Sequence, residues 1–238
     1  WSALAVRALA EAGRLLGEAR YREAARKGAH FLLLRMRQDG LLRHAWREGH
    51  LGEEAFLADQ AFAALALLEL YAATGEWPYL EEARKLAEAG LALLGEEPGL
   101  PLPARALEEG AIPSGESALA EAFVRLGGIF GPEYYEKAEA LLKREARFLA
   151  RHPEAFPGFL LAHRLLREES ELTVPLPSPH LQEVQALYLP LTQLVLGPAG
   201  GLPALEGKEP GLLYPCRQGA CRLPTDRLEE ALKALKGP

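Results

Sequence analysis

Residues 55–73 read AFLADQAFAALALLELYAA, and this stretch decides the fold class. Apolar side chains occupy nearly every direction around a helix of this sequence, as they do in a helix buried on most sides. The segment that follows, Trp77 to Leu94, is different. Leu80, Ala83, Leu86, Ala87, Leu91 and Leu94 form one stripe, while Glu81, Glu82, Arg84, Lys85 and Glu88 point elsewhere, so this helix is half exposed. A buried helix followed by an amphipathic one predicts two layers, with inner helices covered by outer ones.

The pair repeats. Gly17, Tyr21 and Ala25 recur as Gly75, Tyr79 and Ala83, and again as Gly131, Tyr134 and Ala138, with the tyrosines 58 and 55 residues apart. That period is the length of two helices with their connections. Inner helices are expected over Trp1–Leu16, Glu54–Thr74 and Glu116–Gly127. Gly17, Gly75 and Gly131 suit the turns after helices, and Pro132 and Pro153 suit first turns. A seventh helix over Pro153–Arg167 begins a fourth pair without a helical partner. The expected fold is therefore mainly α, an incomplete (α/α)6 toroid of about three and a half hairpins, over residues 1–168. A solenoid of the same hairpins is the rival arrangement. Residues 169–238 change to a Pro/Gly-rich texture, predicting a short α+β tail with extended runs at Leu172–Leu176 and Leu187–Leu196 and a last helix over Thr225–Leu235, capped by Thr225 or Asp226.

Composition narrows the function classes. The 238 residues carry a formal net charge of −6 with the two signs interleaved, which argues against a nucleic-acid or anionic-membrane surface. No apolar run of the length a membrane helix needs stands out. Trp1 opens in mid-helix with no signal pattern, so the chain reads as a fragment, a processed product or a chain lacking its N-terminal part; the expected location is cytoplasmic. Asn is absent and Met occurs once, a bias of thermophile proteins that a GC-rich genome would also produce.

Several motifs carry a resemblance. Trp1-Ser2-Ala3-Leu4 is similar to a Trp-Asn-Gly-Leu segment, and Phe56-Leu57-Ala58-Asp59-Gln60-Ala61 to Phe-Leu-Asp-Asp-Tyr-Ala. Residues Glu109 to Ser117, EGAIPSGES, are similar to Asp-Gly-Ala-x-Pro-Ser-Gly-Asn-Ser. Asp39-Gly40-Leu41 and Arg47-Glu48-Gly49 flank a short hairpin, and Cys216 and Cys221 match a closing Cys-x4-Cys. In this order they resemble the C-terminal part of the YyaL-like family, also called spermatogenesis-associated thioredoxin-domain proteins. The resemblance implies an N-terminal thioredoxin-like domain, not among these residues, and a six-hairpin barrel of the kind found in glycosidases and N-acylglucosamine 2-epimerases. The chain departs from the pattern at Ser2-Ala3, Ala58-Asp59-Gln60 and Glu116, and GEEPGLPLPA (95–104) stands where a Gly-Gly-Phe-Phe stretch is expected.

The candidate chemistry follows. Asp59, among apolar neighbours on an inner helix, needs a partner or a polar cavity, and in an axial cleft it would serve as acid or base. Glu109 and Glu116 flank Pro113-Ser114-Gly115 and supply two more carboxylates, with Ser114 as N-cap and ligand-binding hydroxyl. The bland reading is a capped helix entry with solvated acids. Arg43, Trp46 and Arg47, with His44 and His50 between and after them, are candidates for stacking on a sugar or binding a carboxylate, as is Arg105. Cys216 and Cys221 are a candidate disulfide or two thiols; the spacing is neither a Cys-x2-Cys redox motif nor half of a zinc site. No cofactor or metal is expected. Two functions remain open: a carbohydrate-active or sugar-binding cleft, or a non-catalytic scaffold serving the thioredoxin-like domain.

Overall fold

The structure, a computed structural model, describes residues 1–94 and 109–236. Arg105 and the GEEPGLPLPA stretch lie outside them. Three helical hairpins follow one another: α1 (Ser2–Leu15) with α2 (Ala19–Arg35), α3 (Leu57–Thr74) with α4 (Trp77–Ala92), and α5 (Gly115–Phe130) with α6 (Pro132–Arg151). A 3-10 turn at Pro153–Ala155 precedes α7 (Pro157–Glu168). Helices α1, α3, α5 and α7 pack side by side in that order, and α2, α4 and α6 each pack on their own partner.

The layering follows from the side chains. Nearly every residue of α3 from Gln60 to Ala73 is buried, whereas α4 buries only the stripe of Tyr79, Leu80, Ala83, Leu86, Ala87 and Gly90. The repeated alanines, Ala25, Ala83 and Ala138, are all fully buried, so each outer helix approaches its inner partner through a small side chain. Gly75 ends α3 at φ 73°, a left-handed conformation that glycine adopts without steric cost. By length and a mean hydropathy of 1.2, α3 passes the test for a membrane-crossing helix, which the sequence reading did not anticipate; 78% of it is buried inside the fold.

Between α2 and α3 the single expected hairpin is in fact two. Strands β1 (Arg37–Gln38) and β2 (Leu41–Leu42) turn at Asp39-Gly40, and β3 (Trp46–Arg47) and β4 (His50–Leu51) turn at Glu48-Gly49. All four turn residues have positive φ, the requirement of a two-residue type I′ connection. The buried amide of Gln60 fastens β2 to α3, accepting from Leu42 N–H at 2.9 Å and donating to Leu42 C=O at 2.8 Å.

The tail forms a four-stranded sheet of order β6-β5-β7-β8, built from β5 (Ser170–Leu176), β6 (Thr192–Pro198), β7 (Tyr214–Arg217) and β8 (Ala220–Cys221). β5 pairs parallel with β6 and antiparallel with β7. The run from Leu187 is extended only from Thr192 onward, and a short helix α8 (Leu181–Gln185), not foreseen, fills the crossover that a parallel pair needs. The last helix, α9 (Leu228–Leu235), starts three residues later than expected: the Thr225 backbone is held in a β-bridge to Leu213, and its hydroxyl accepts from Arg227 N–H at 3.1 Å, just ahead of the helix. Tyr71 of α3 joins the tail to the helices, its hydroxyl donating to Leu196 C=O at 2.6 Å and accepting from Leu196 N–H at 2.8 Å.

Candidate functional site

The helices α3, α5 and α7 begin at one end of the row. Gly115 packs so tightly on α3 that a Cβ there would lie 2.9 Å from the Ala58 backbone. Glu109 fills the junction. Its Oε1 accepts from Ser114 N–H at 3.0 Å and Ser114 Oγ at 3.2 Å and meets the Ser117 hydroxyl, while its Oε2 accepts from Gly158 N–H in the first turn of α7. Ser114 Oγ in turn accepts from Ser117 N–H at 3.1 Å, the N-cap of α5. Amide donors in helix first turns have no intrahelical partner, and a carboxylate is the strongest acceptor for them. Glu109 is thus a strut between two helices, with both oxygens occupied. Glu109→Ala is expected to lower the unfolding free energy by about 2 kcal/mol in urea titration, from the lost acceptor of two helix starts.

Asp59 is engaged in a comparable way. As the third residue of α3 it accepts from Phe56 N–H at 3.1 Å, and it meets His44 Nδ1 at 3.0 and 3.2 Å. The His44 ring is exposed and stands edge-on to Phe56 with centroids 4.9 Å apart. A carboxylate on Nδ1 fixes the ring and leaves Nε2 toward solvent, the arrangement of an oriented general base. His44 is a candidate by its place in the hairpin, but nothing in a 15-residue separation announces its pairing with Asp59. Asp59 and Glu109 are hydrogen-bonded to separate sets of partners.

The remaining residues of the expected site are spread over the hairpins. Arg43 donates to Glu53 C=O at 2.7 Å and to Asp39 at 3.2 Å, tying the two hairpins together. Trp46 is partly exposed and packs edge-on against Phe31, centroids 5.3 Å apart. Arg47 is exposed beside Glu48. Glu116 lies half-buried in the first turn of α5.

A second polar region was not read from the sequence. A cavity of about 330 Å³ is lined by all four inner helices, through Arg7 and Arg14 of α1, Glu69 of α3, Glu121 and Arg125 of α5 and Leu161 of α7. Glu121 sits between two guanidinium groups, 2.6 Å from Arg7 Nη2 and 3.0 Å from Arg125 Nε. Burial alone would push its carboxyl up, but the pull of Arg7 and Arg125 outweighs burial and holds it down at about 2. Arg14 bonds Glu69 at 3.0 Å and the carbonyls of Gln185 and Leu187 at 2.8 and 2.9 Å, anchoring the tail over this end of the helices. Glu169, just before β5, is buried with neither oxygen hydrogen-bonded and its nearest cation, Arg125, 3.9 Å away. Burial, offset in part by Arg125 and reinforced by Glu171 and Glu121, pushes its carboxyl up to about 8.

The signal for this cluster was present in part. Glu121 and Arg125 are four residues apart on the apolar ALAEAFVRLGG helix, where ion-pairing residues would not otherwise occur. Their long-range partner Arg7 is 114 residues away and has no local signature. Cys216 and Cys221 face each other across β7 and β8 and are disulfide-bonded. Among the described residues no group of three or more His, Cys, Asp or Glu is placed to hold a metal ion.

No protein-family model matches the chain. Two relatives carry similar sequences. Spermatogenesis-associated protein 20 of Rattus norvegicus is 29% identical over 227 aligned residues, covering 82% of this chain and 29% of the relative. The protein of the same name from Homo sapiens is 27% identical over 272 aligned positions, covering 96% and 35%. The chain spans about a third of the length of the curated relatives it matches.

Proposed function

We propose that this chain is an arc of an α/α toroid, about three and a half hairpins, acting as a non-catalytic helical scaffold within a longer protein of the spermatogenesis-associated protein 20 kind, beside a thioredoxin-like domain. The observation that carries the reading is the use made of the polar groups. Glu109 is consumed by two helix starts, Asp59 caps α3, and Glu69 and Glu121 neutralise arginines around the cavity. A general acid needs an oxygen free to reach substrate, and these carboxylates are spent on structure. The arc itself is supported by the cavity, to which α1, α3, α5 and α7 each present side chains, as helices curving about an axis would. Leu160 and Leu161 on α7, the end helix of the row, are each 43% exposed.

A second reading is favoured by one observation: His44, oriented by Asp59 and flanked by Phe56, with the partly exposed Trp46 on the neighbouring hairpin, suits a sugar-binding edge. Calorimetric titration of a sugar panel into the full-length protein separates the two. The scaffold reading expects no binding, and saturable binding lost in Asp59→Asn would replace it with the second.

A further inference from the structure

One row of side chains crosses the tail sheet. Gln193 of β6 pairs with Glu171 of β5, Glu171 with Cys216 of β7, and Cys216 with Cys221 of β8. Directly paired residues project to the same face, so the Glu171 carboxyl and the disulfide are neighbours on one side of the sheet. That face borders a cavity of about 190 Å³ whose lining includes Gly127, Gly128, Glu171, Lys208, Cys216 and Cys221. Cys221 is exposed and Cys216 is buried. Gly128 leaves the room for this acid, since a Cβ there would lie 2.8 Å from Glu171 Cγ.

We propose that Cys216–Cys221 is a reducible disulfide, opened by a dithiol reductant at the exposed Cys221, with Glu171 as the proton donor to the buried Cys216. This goes beyond the scaffold reading and does not depend on it. A thiolate of the reductant attacks Cys221 Sγ, the S–S bond breaks, and Cys216 leaves as a thiolate. That thiolate is buried, and beside the Glu171 carboxyl it is costly unless it is protonated; Glu171 supplies the proton. The reductant's second thiolate attacks its own sulfur in the mixed disulfide and releases Cys221, which is protonated from solvent. The dithiol supplies two electrons and becomes a disulfide. Its two protons pass to solvent, which also reprotonates Glu171.

The groups facing Glu171 fit this role. Tyr135 of α6 donates to its Oε1 at 2.7 Å and Gln218 N–H at 3.0 Å, while Oε2 is buried with no hydrogen-bond partner. Burial pushes the carboxyl's pKa up, against the opposing pull of Tyr135 and of the backbone donors of Gln218, Gly219 and Glu171 itself. Glu169 lies nearby as a second acid, and Lys208, stacked 5.4 Å from the Tyr214 ring centroid, is the nearby cation.

The test is the rate of disulfide opening by dithiothreitol in the folded chain, followed by maleimide trapping and mass spectrometry. The native disulfide should open without denaturant, and Glu171→Gln should slow it about tenfold near neutral pH, the equivalent of one pKa unit of proton-donor advantage. A disulfide that opens only in urea overturns the proposal, as does an unchanged rate in Glu171→Gln. Should that variant not fold, the wild-type profile decides: the rate per dithiothreitol thiolate should fall as pH rises through the ionisation of Glu171. A flat profile overturns it.

Discussion

Glu121→Ala is expected to lower the unfolding free energy by about 3–5 kcal/mol, the cost of leaving a buried ion pair without one partner. The reason lies in what remains. Glu121 is 5% exposed, and its removal leaves Arg125, with its side chain 15% exposed, without its hydrogen-bonded partner and facing the more distant carboxylates Glu169, at 3.9 Å, and Glu69. Arg7 loses its two-pronged contact at 2.6 and 3.4 Å, and with it the link from α1 to α5. For a chain of this size the loss corresponds to a melting temperature lower by on the order of 10 °C. Adding Arg125→Leu should recover part of it, since the stranded charge is then gone. Equal melting of Glu121→Ala and wild type would show that the cavity charges do not hold the inner row together.

Glu169 gives the second large effect, and its sign is opposite to that of an ordinary acid. Its folded-state pKa of about 8 lies above the ordinary carboxyl value of 4.5, so between these limits the folded chain binds a proton that the unfolded chain has released. Its contribution to stability is fully present below about 4.5 and is lost as pH rises through about 8. Glu121 works in the reverse sense, its contribution present above 4.5 and lost as pH falls through about 2. Together they place the stability maximum from these groups on the mildly acidic side. Glu169→Gln should flatten the alkaline limb, and near pH 9 it should exceed wild type by on the order of 3 kcal/mol. Urea unfolding across pH measures this. Parallel pH profiles for the two proteins would mean that Glu169 ionises freely in the fold.

The hairpins were legible because their determinants are local. Each Gly-Tyr-Ala unit and each helix's all-round or one-stripe apolar pattern is visible within a window of about twenty residues, and Ala25, Ala83 and Ala138 are buried where the repeat puts them. The N-cap role of Ser114 was legible for the same reason. What escaped depends on long-range closure. Asp59 finds His44 through a hairpin, Glu109 finds Gly158 across 49 residues, and Glu121 finds Arg7 across 114. A sequence shows that a carboxylate on an inner helix needs a partner; it does not show which one. The start of α9 was misplaced because the Thr225 backbone is held in a bridge to Leu213 and its hydroxyl bonds Arg227 N–H, one residue ahead of the helix.

The scaffold reading rests on carboxylates being committed to structure, and the sugar titration tests that most directly. Full-length protein, Asp59→Asn and Glu109→Gln are titrated with the same panel under identical conditions. The prediction is no saturable heat from any sugar with any of the three, together with lower unfolding stability in the two variants. Saturable binding to the wild type that disappears in Asp59→Asn, with the fold intact, would contradict it.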